Sequence, residues 1–452
     1  MKGKSFLIAF VLLLFALLLG CKKQEKVHTK RIPAPPPVSA GTVHPRVPFT
    51  DQAGNTFAVY LPSNYNRQKS WPVLYFFDAH ARGALPLKRY HKLADEFGMI
   101  FIGANTLKNG LDVPTITSRV NNLFAETARR FKLHPRRKYI MGFSGGARTA
   151  VLTALLRDDV SGVIGCGAGF PRWNQPVARR FAYLAVAGKG DFNLSELRVL
   201  NEKLNRSPID HWFIEFKGGH EWPPFYVARK ALLILQLDGM RKGLIPSNPN
   251  WIGQFVKSEM QQIDSLKRNK DLLGLAAEYR LFISTLKGMG AIQSVENRYR
   301  KLLKSTAYQR QEKAERQEAL REVDYQKEIQ KAFNRQDIAY LKQLFKKFGR
   351  VAPNQKYYWM YRRLTGFMSL LGYLYAQQAL QKKDVKAAEN YLQIYALTDA
   401  HNADRYYLQA WLDILQNKIS QAKQAARKAI DLGLDDPQKM YANPDFSVLE
   451  LH

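Results

Sequence analysis

The sequence predicts an α/β fold over its first half, a mostly parallel sheet with helices on both faces, and an all-α, repeat-built domain over its second. Three observations carry that expectation. Apolar runs of strand length alternate with helix-like segments from Phe57 to Leu237, the pattern of strands joined by helical crossovers. Strand signals stop near Gly243, and almost every window from Trp251 onward reads as helix. Within that helical half, Ala376 and Ala410, Ala388 and Ala422, Tyr373 and Tyr407, and Leu374 and Leu408 are each 34 positions apart. Such a period marks stacked helical hairpins, with small residues where paired helices approach closely.

Met1-Lys2-Gly3-Lys4 is a short positive region, and Ser5 to Leu19 is apolar apart from its first residue, which suits a signal-peptide core better than a membrane span. The run closes with Leu18-Leu19-Gly20-Cys21. Residues 22–48 are polar, basic and proline-rich, and the composition predicts an extended tether that buries no apolar surface. The expected boundaries are 1–21 for the signal peptide, 22–48 for the tether, 49–242 for the α/β domain, 243–335 for a helical connector and 336–452 for the repeats. Cys166, in the apolar run Val163 to Ala168, reads as a small buried hydrophobe.

In the α/β region, Phe57 to Pro62 is strand-like and Trp71 to Phe77 is a continuous apolar run of the central-strand type, ending in Asp78-Ala79-His80-Ala81-Arg82-Gly83. Met99 to Ala104 is a further buried strand, followed by an expected long loop from Asn105 to Ser118 and a helix to Lys132. Then comes Met141-Gly142-Phe143-Ser144-Gly145-Gly146-Ala147, between the strand-like Lys138 to Ile140 and a helix-like run from Arg148 to Leu156. A serine among glycines at a strand-to-helix junction can form a turn tight enough to lift its Oγ above the sheet edge. That turn also aims the Gly145 N–H at the reacting carbonyl.

Two later strands follow in the order a Ser, Asp, His arrangement requires. Phe181 to Ala187 ends in Gly188-Lys189-Gly190-Asp191, and His211 to Phe216 runs into Lys217-Gly218-Gly219-His220-Glu221-Trp222-Pro223. Both candidates fall just past strand C-termini, where open α/β sheets build their sites. The residue types point to Ser144 as nucleophile, His220 as base and Asp191 as the orienting acid, with Glu196 and Glu221 as competing acids. The first oxyanion donor is expected at Gly145 and the second among the backbone N–H groups of the His80 to Arg82 turn, assigned to Arg82. His80, Trp173 and Trp222 are candidates for substrate contact, packing being the alternative for each. Arg82 and Arg148 are candidate anion contacts. Neither zinc-ligand spacing nor a phosphate-cradling loop appears, so no metal or cofactor is expected.

Taken with these motifs, Phe57 to Leu237 resembles the α/β-hydrolase esterases grouped with polyhydroxybutyrate depolymerases, feruloyl esterases and dienelactone hydrolases. The resemblance implies an α/β-hydrolase sheet flanked by helices and ester cleavage through an acyl-enzyme. Esterases of this kind usually carry His-Gly at the oxyanion turn, where this chain has His80-Ala81. Leu18 to Cys21 resembles the lipobox of bacterial lipoproteins, which implies lipid on Cys21 and, since Lys22 follows it, an outer-membrane address in the cell envelope. The last hundred or so residues resemble tetratricopeptide (TPR) repeats, which implies a protein partner. Non-catalytic scaffolding through these repeats and peptidase activity on the same fold are the rival expectations.

Lys and Arg number 69 against 38 Asp and Glu, a formal net charge of +31. Such an excess ordinarily suggests nucleic acid or an acidic surface, and the lipoprotein-like N-terminus argues for the surface and against nucleic acid.

Overall fold

The structure, a computed structural model, describes residues 38–52, 54–173, 177, 181–290, 292–434, 440 and 443–449. The signal-peptide and Cys21 expectations, and the tether up to residue 37, lie outside the described residues.

Among the described residues one sheet of eight strands forms, ordered β1-β2-β4-β3-β5-β6-β7-β8. The strands are β1 (Val43–Pro48), β2 (Thr56–Tyr60), β3 (Trp71–Phe77), β4 (Ile100–Ala104), β5 (Leu133–Phe143), β6 (Gly162–Cys166), β7 (Ala182–Gly188) and β8 (His211–Phe216). β2 runs antiparallel to both neighbours, and β4-β3-β5-β6-β7-β8 are parallel. The intervening helices are α1 (Ala84–Phe97), α2 (Val113–Arg130), α3 (Gly145–Leu156), α4 (Leu194–Leu204) and α5 (Phe225–Arg241). β3 is buried along its whole length, as a strand covered by helices on both faces must be. Leu74 and Phe76 pack with α1 and α5, while Val73, Tyr75 and Phe77 pack with α2, α3 and α4.

Three expectations need correction. The tether does not extend to Pro48: Val43–Pro48 pairs with β2 as an edge strand, a place where Pro45 and Pro48 are tolerated because one side of the strand needs no donors. The helix after β4 begins at Val113, within the expected loop, because Asp112 accepts from the Thr115 N–H and Pro114 sits at the start of the first turn. The connector is not a separate layer. α6 (Pro249–Arg268), α7 (Leu272–Leu286) and α8 (Gln293–Leu303) contribute Phe255, Ile263, Tyr279, Phe282 and Val295 to the same core that covers one face of the sheet.

A second core begins with α9 (Thr306–Asn334) and runs through α10 (Ile338–Gly349), α11 (Tyr358–Gln381), α12 (Val385–Thr398), α13 (Ala403–Leu415) and α14 (Ile419–Asp431) to a 3-10 turn at Pro444–Leu449. One junction recurs in this helical half. Lys270, Gln336, Lys383 and Asn417 each have φ between 54° and 58° and end a helix. The next residue donates its N–H back to the helix just ended, at Leu266, Ala332, Ala379 and Asp413 respectively. Asp271, Asp337 and Asp384 then cap the following helix, joining a left-handed stop to an aspartate start. Ala376, Ala410, Ala388 and Ala422 are fully buried as the 34-residue spacing requires, but Leu374 is 45% exposed and Leu408 is buried.

Candidate active site

The site is assembled at the C-terminal edge of the parallel strands. β5 delivers Ser144, which takes φ 55° and ψ −121°, a left-handed backbone that non-glycine residues seldom adopt. The turn closes because its neighbours have no side chains. A Cβ on Gly142 would lie 2.2 Å from the Gly146 carbonyl oxygen, and one on Gly146 would lie 2.0 Å from that of Phe77. Ser144 donates its own N–H to the Cys166 carbonyl at 2.8 Å, and α3 starts directly after it, so the N-terminal amides of a helix surround the serine.

β7 and β8 supply the other two groups. Their exits are held together by Lys189 N–H to the Phe216 carbonyl and Gly190 N–H to the Gly218 carbonyl, both 2.8 Å. Gly188 permits this, since a Cβ there would meet the Gly219 carbonyl oxygen at 2.3 Å. His220 Nε2 lies 3.0 Å from Ser144 Oγ, and Nδ1 lies 2.9 Å from Asp191 Oδ1. Asp191 is 1% exposed and also accepts from the Asn193 N–H at 2.8 Å. Behind it Gly167, at φ 68°, is so close that a Cβ would touch Asp191 Oδ2 and His220 Cε1 at 3.0 and 3.1 Å. The imidazole is packed between Phe143 and Phe192, with ring centroids 4.8 and 4.2 Å away. The competing acids are engaged elsewhere: Glu196 binds Arg148 and the Gly169 N–H, and Glu221 accepts from the Gly219 N–H. With Asp191 accepting from Nδ1–H, Nε2 is left as the acceptor for the Ser144 proton.

The turn after β3 is organised by Asp78, which the sequence did not single out. Its buried carboxylate accepts from the His80 N–H at 2.9 Å, from Arg82 Nε and Nη2 at 2.8 and 3.1 Å, and from Trp222 Nε1 at 2.9 Å. Burial works to raise this carboxyl, but the hydrogen bond and charge of Arg82, with Trp222 and the His80 amide, outweigh it and hold the group below its ordinary value. The Ala81 N–H donates to the Asp78 carbonyl, and Ala81 is held at φ 63°.

The other candidates fall in different places. Trp222 does not rim a pocket; it is 3% exposed, tilted against Phe143 and pinned by Asp78 beneath the site. Trp173 is half-buried against the core on the α2 and α4 side. His80 keeps a partly exposed side chain, and its Nδ1 lies 3.6 Å from Asp404 Oδ2 at the start of α13. Arg148 is committed to the Phe170 carbonyl and to Glu196. Asn109 is a neighbour that no motif announced: a Cβ on Gly145 would fall 1.7 Å from its Oδ1, so its carboxamide hangs over the first residue of α3. Among the described residues no group of His, Cys, Asp and Glu is arranged to hold a metal ion.

No family model and no curated protein matches the chain. Solved structures similar to it include a fluorophosphonate-binding serine hydrolase of Staphylococcus aureus, at 15% identity and a TM-score of 0.35 over 40% of this chain and 92% of that one. The Bacillus cereus carboxylesterase is similar at 17% identity and a TM-score of 0.34, over 41% and 94% of the two chains. A feruloyl esterase module of Clostridium thermocellum is similar at 13% identity and a TM-score of 0.33, over 39% and 79%.

Proposed function

We propose that this chain is a serine hydrolase that cleaves carboxylic esters through an acyl-enzyme. The observation that carries the reading is the line from Asp191 through His220 to Ser144 at 2.9 and 3.0 Å, ending on a serine in a left-handed backbone at a helix start. Ser144 Oγ bonds to the ester carbonyl carbon while its proton passes to His220 Nε2, and Asp191 stabilises the imidazolium that results. The carbonyl oxygen takes the negative charge and accepts from the Gly145 N–H, with the second donor assigned to the Arg82 backbone in the turn that Asp78 holds. Each such donor is typically worth about 10²- to 10³-fold in rate. Collapse re-forms the carbonyl and expels the alcohol, which takes the proton from His220. Water, deprotonated by the same histidine, then releases the acid and regenerates Ser144.

The test is covalent labelling of the purified protein with a fluorophosphonate, beside a panel of aryl, carbohydrate and aromatic-acid esters and aminopeptide substrates. Uptake by wild type, none by Ser144→Ala, and turnover of esters over peptides is the expected result. Labelling that ignores Ser144, or none at all, would leave the chain to the rival reading of a helical-repeat scaffold.

From the lipobox-like Leu18 to Cys21 and the Lys22 that follows it we further propose that the enzyme sits on the outer membrane of a bacterial envelope, anchored by lipid on Cys21. Two or three acyl chains hold a protein firmly on a bilayer, and the charge of +31 favours anionic headgroups or acidic glycans nearby. Cys21→Ser should release the protein from the membrane fraction, and unchanged fractionation would refute the anchor. TPR-like pairing of α11 with α12 and of α13 with α14 supports a protein partner for the C-terminal half.

A further inference from the structure

The helical half touches the catalytic apparatus at two places, one on each side of Ser144. On the acid side, α11 lies along the loop from Lys189 to Phe192. Arg363 Nη1 donates to the Lys189 carbonyl at 2.8 Å, while its Nε and Nη2 are held by Glu322 of α9 at 2.7 to 2.9 Å. Arg363 and Glu322 are 5% and 2% exposed, so this clamp is a buried ion pair, with Glu318 Oε1 a second carboxylate 3.4 Å from Nη2, and Nη1 is spent on the backbone two residues before Asp191. Loss of one partner from such a pair leaves an uncompensated buried charge. One turn along α11, Gly366 faces Phe192, the ring that packs on His220. A Cβ there would sit 3.1 Å from Phe192 Cδ1, tighter than an ordinary contact. Gly190, next to Asp191, leaves similarly little room to Arg362 Cβ and Trp359, at 3.1 and 3.4 Å. On the oxyanion side, Asp404 of α13 faces His80 in the turn that Asp78 and Arg82 shape.

We propose that the helical half completes the catalytic centre: α11 clamps the Asp191 loop and backs His220 through Phe192, and Asp404 braces the oxyanion turn through His80. Arg363, Gly366 and Asp404 are then positioning residues for the reaction. This rests on the assignment of Ser144, His220 and Asp191 above. Gly366 is the informative position because a glycine inside a helix disfavours that helix. Gly366→Ala in α11 is therefore expected to hold or raise Tm, whereas the added methyl must push Phe192, and with it His220, by a few tenths of an ångström. Misplacement of about 1 Å can cost about 100-fold in rate, so a loss of about three- to tenfold in kcat with KM little changed is expected.

The experiment measures kcat, KM, Tm and fluorophosphonate labelling rate for the full chain and for Gly366→Ala, Phe192→Leu, the double variant and Asp404→Asn. Support consists of a kcat loss in Gly366→Ala at undiminished Tm that disappears on the Phe192→Leu background, as coupled neighbours require. Asp404→Asn should lose about three- to tenfold in kcat/KM, an effect of similar size on the oxyanion turn. Kinetics within twofold of wild type for both Gly366→Ala and Asp404→Asn would overturn the proposal, as would a Gly366→Ala loss that persists undiminished without the Phe192 ring or that merely follows a fall in Tm. A wild-type chain that neither labels nor turns over esters fails differently: it removes the serine hydrolase premise itself.

Discussion

The sheet half and the helical half solve close packing with a different balance of means. In the sheet half, main chains are brought into contact by the absence of side chains: Gly142 against Gly146, Gly146 against Phe77, Gly188 against Gly219, and Gly103 against Gly83, where a Cβ would lie 2.0 Å from a carbonyl oxygen. In the helical half many close approaches are made by alanines, such as Ala376, Ala388, Ala410 and Ala422, although Gly372 also lets α11 meet the Tyr395 backbone, and several helix ends, among them those at Lys270, Gln336, Lys383 and Asn417, share one turn. Of the non-glycine residues at positive φ, Ser144 and Ala81 lie where the chemistry is, whereas Lys270, Gln336, Lys383 and Asn417 share one helix-ending junction and Tyr357 precedes α11. The same kind of substitution should therefore have different consequences in the two halves.

The largest contrast is in turnover. Ser144→Ala should lower kcat by about 10⁴- to 10⁶-fold, the range found when a triad nucleophile is removed, while the melting temperature holds or rises as crowding around Oγ is relieved. Collapse of the fold in this variant would show that the serine is a structural turn residue and would erase the contrast. A methyl group sharpens the comparison next. Gly146→Ala drives a Cβ into the Phe77 carbonyl and should destabilise the chain by more than about 3 kcal/mol. Gly253→Ala, on the exposed face of α6 with nothing within 4 Å of the new atom, should stabilise it by about 0.5–1 kcal/mol. Chemical denaturation of both variants reads the two signs, and matching signs would refute the distinction.

Asp78 offers a smaller test on the sheet side. Asp78→Asn keeps the shape but weakens the hold on Arg82, and a loss of about 10- to 100-fold in kcat is expected from a displaced oxyanion turn. Its folded pKa is depressed, so its contribution to stability is present above the ordinary carboxylate value and lost as pH falls through the folded one. Acid unfolding of the Asn variant should accordingly start from lower stability and show a shallower pH dependence as pH falls below the ordinary carboxylate value. The smallest effect belongs to the repeated junction. Asp384→Ala removes the oxygen that accepts from the Ala387 N–H and should cost about 1 kcal/mol by denaturant titration, with turnover unaffected.

Chain order made the central trio legible. Ser144, Asp191 and His220 each follow a strand that can be placed from the sequence, and the structure brings the three together. The support around them was not legible, because it depends on partners far away in the chain. Asp78 binds the Trp222 indole across 144 positions, which is why an aromatic expected at the rim lies underneath the site. Phe192 reads as an ordinary loop residue until its ring is seen against His220. β1 was hidden by its prolines, tolerable only because the strand is an edge. α6 and α8 interleave charged with apolar residues, and only tertiary packing reveals that Phe255, Ile263 and Val295 extend the core of the sheet. Spacing found the buried alanines of the last two hairpins but not the shared turn, since Lys270, Gln336, Lys383 and Asn417 have no residue type in common.

The contact between Arg363 and the Lys189 carbonyl spans 174 positions, and that separation bears on when the molecule matures. Every strand of the sheet has left the ribosome by Phe216, long before α11 exists. Closing so long a loop costs more entropy than pairing neighbouring strands, so the brace on the acid loop is expected to form after the sheet's own pairings. Hydrolytic competence would then arrive late, after translation of the C-terminal helices.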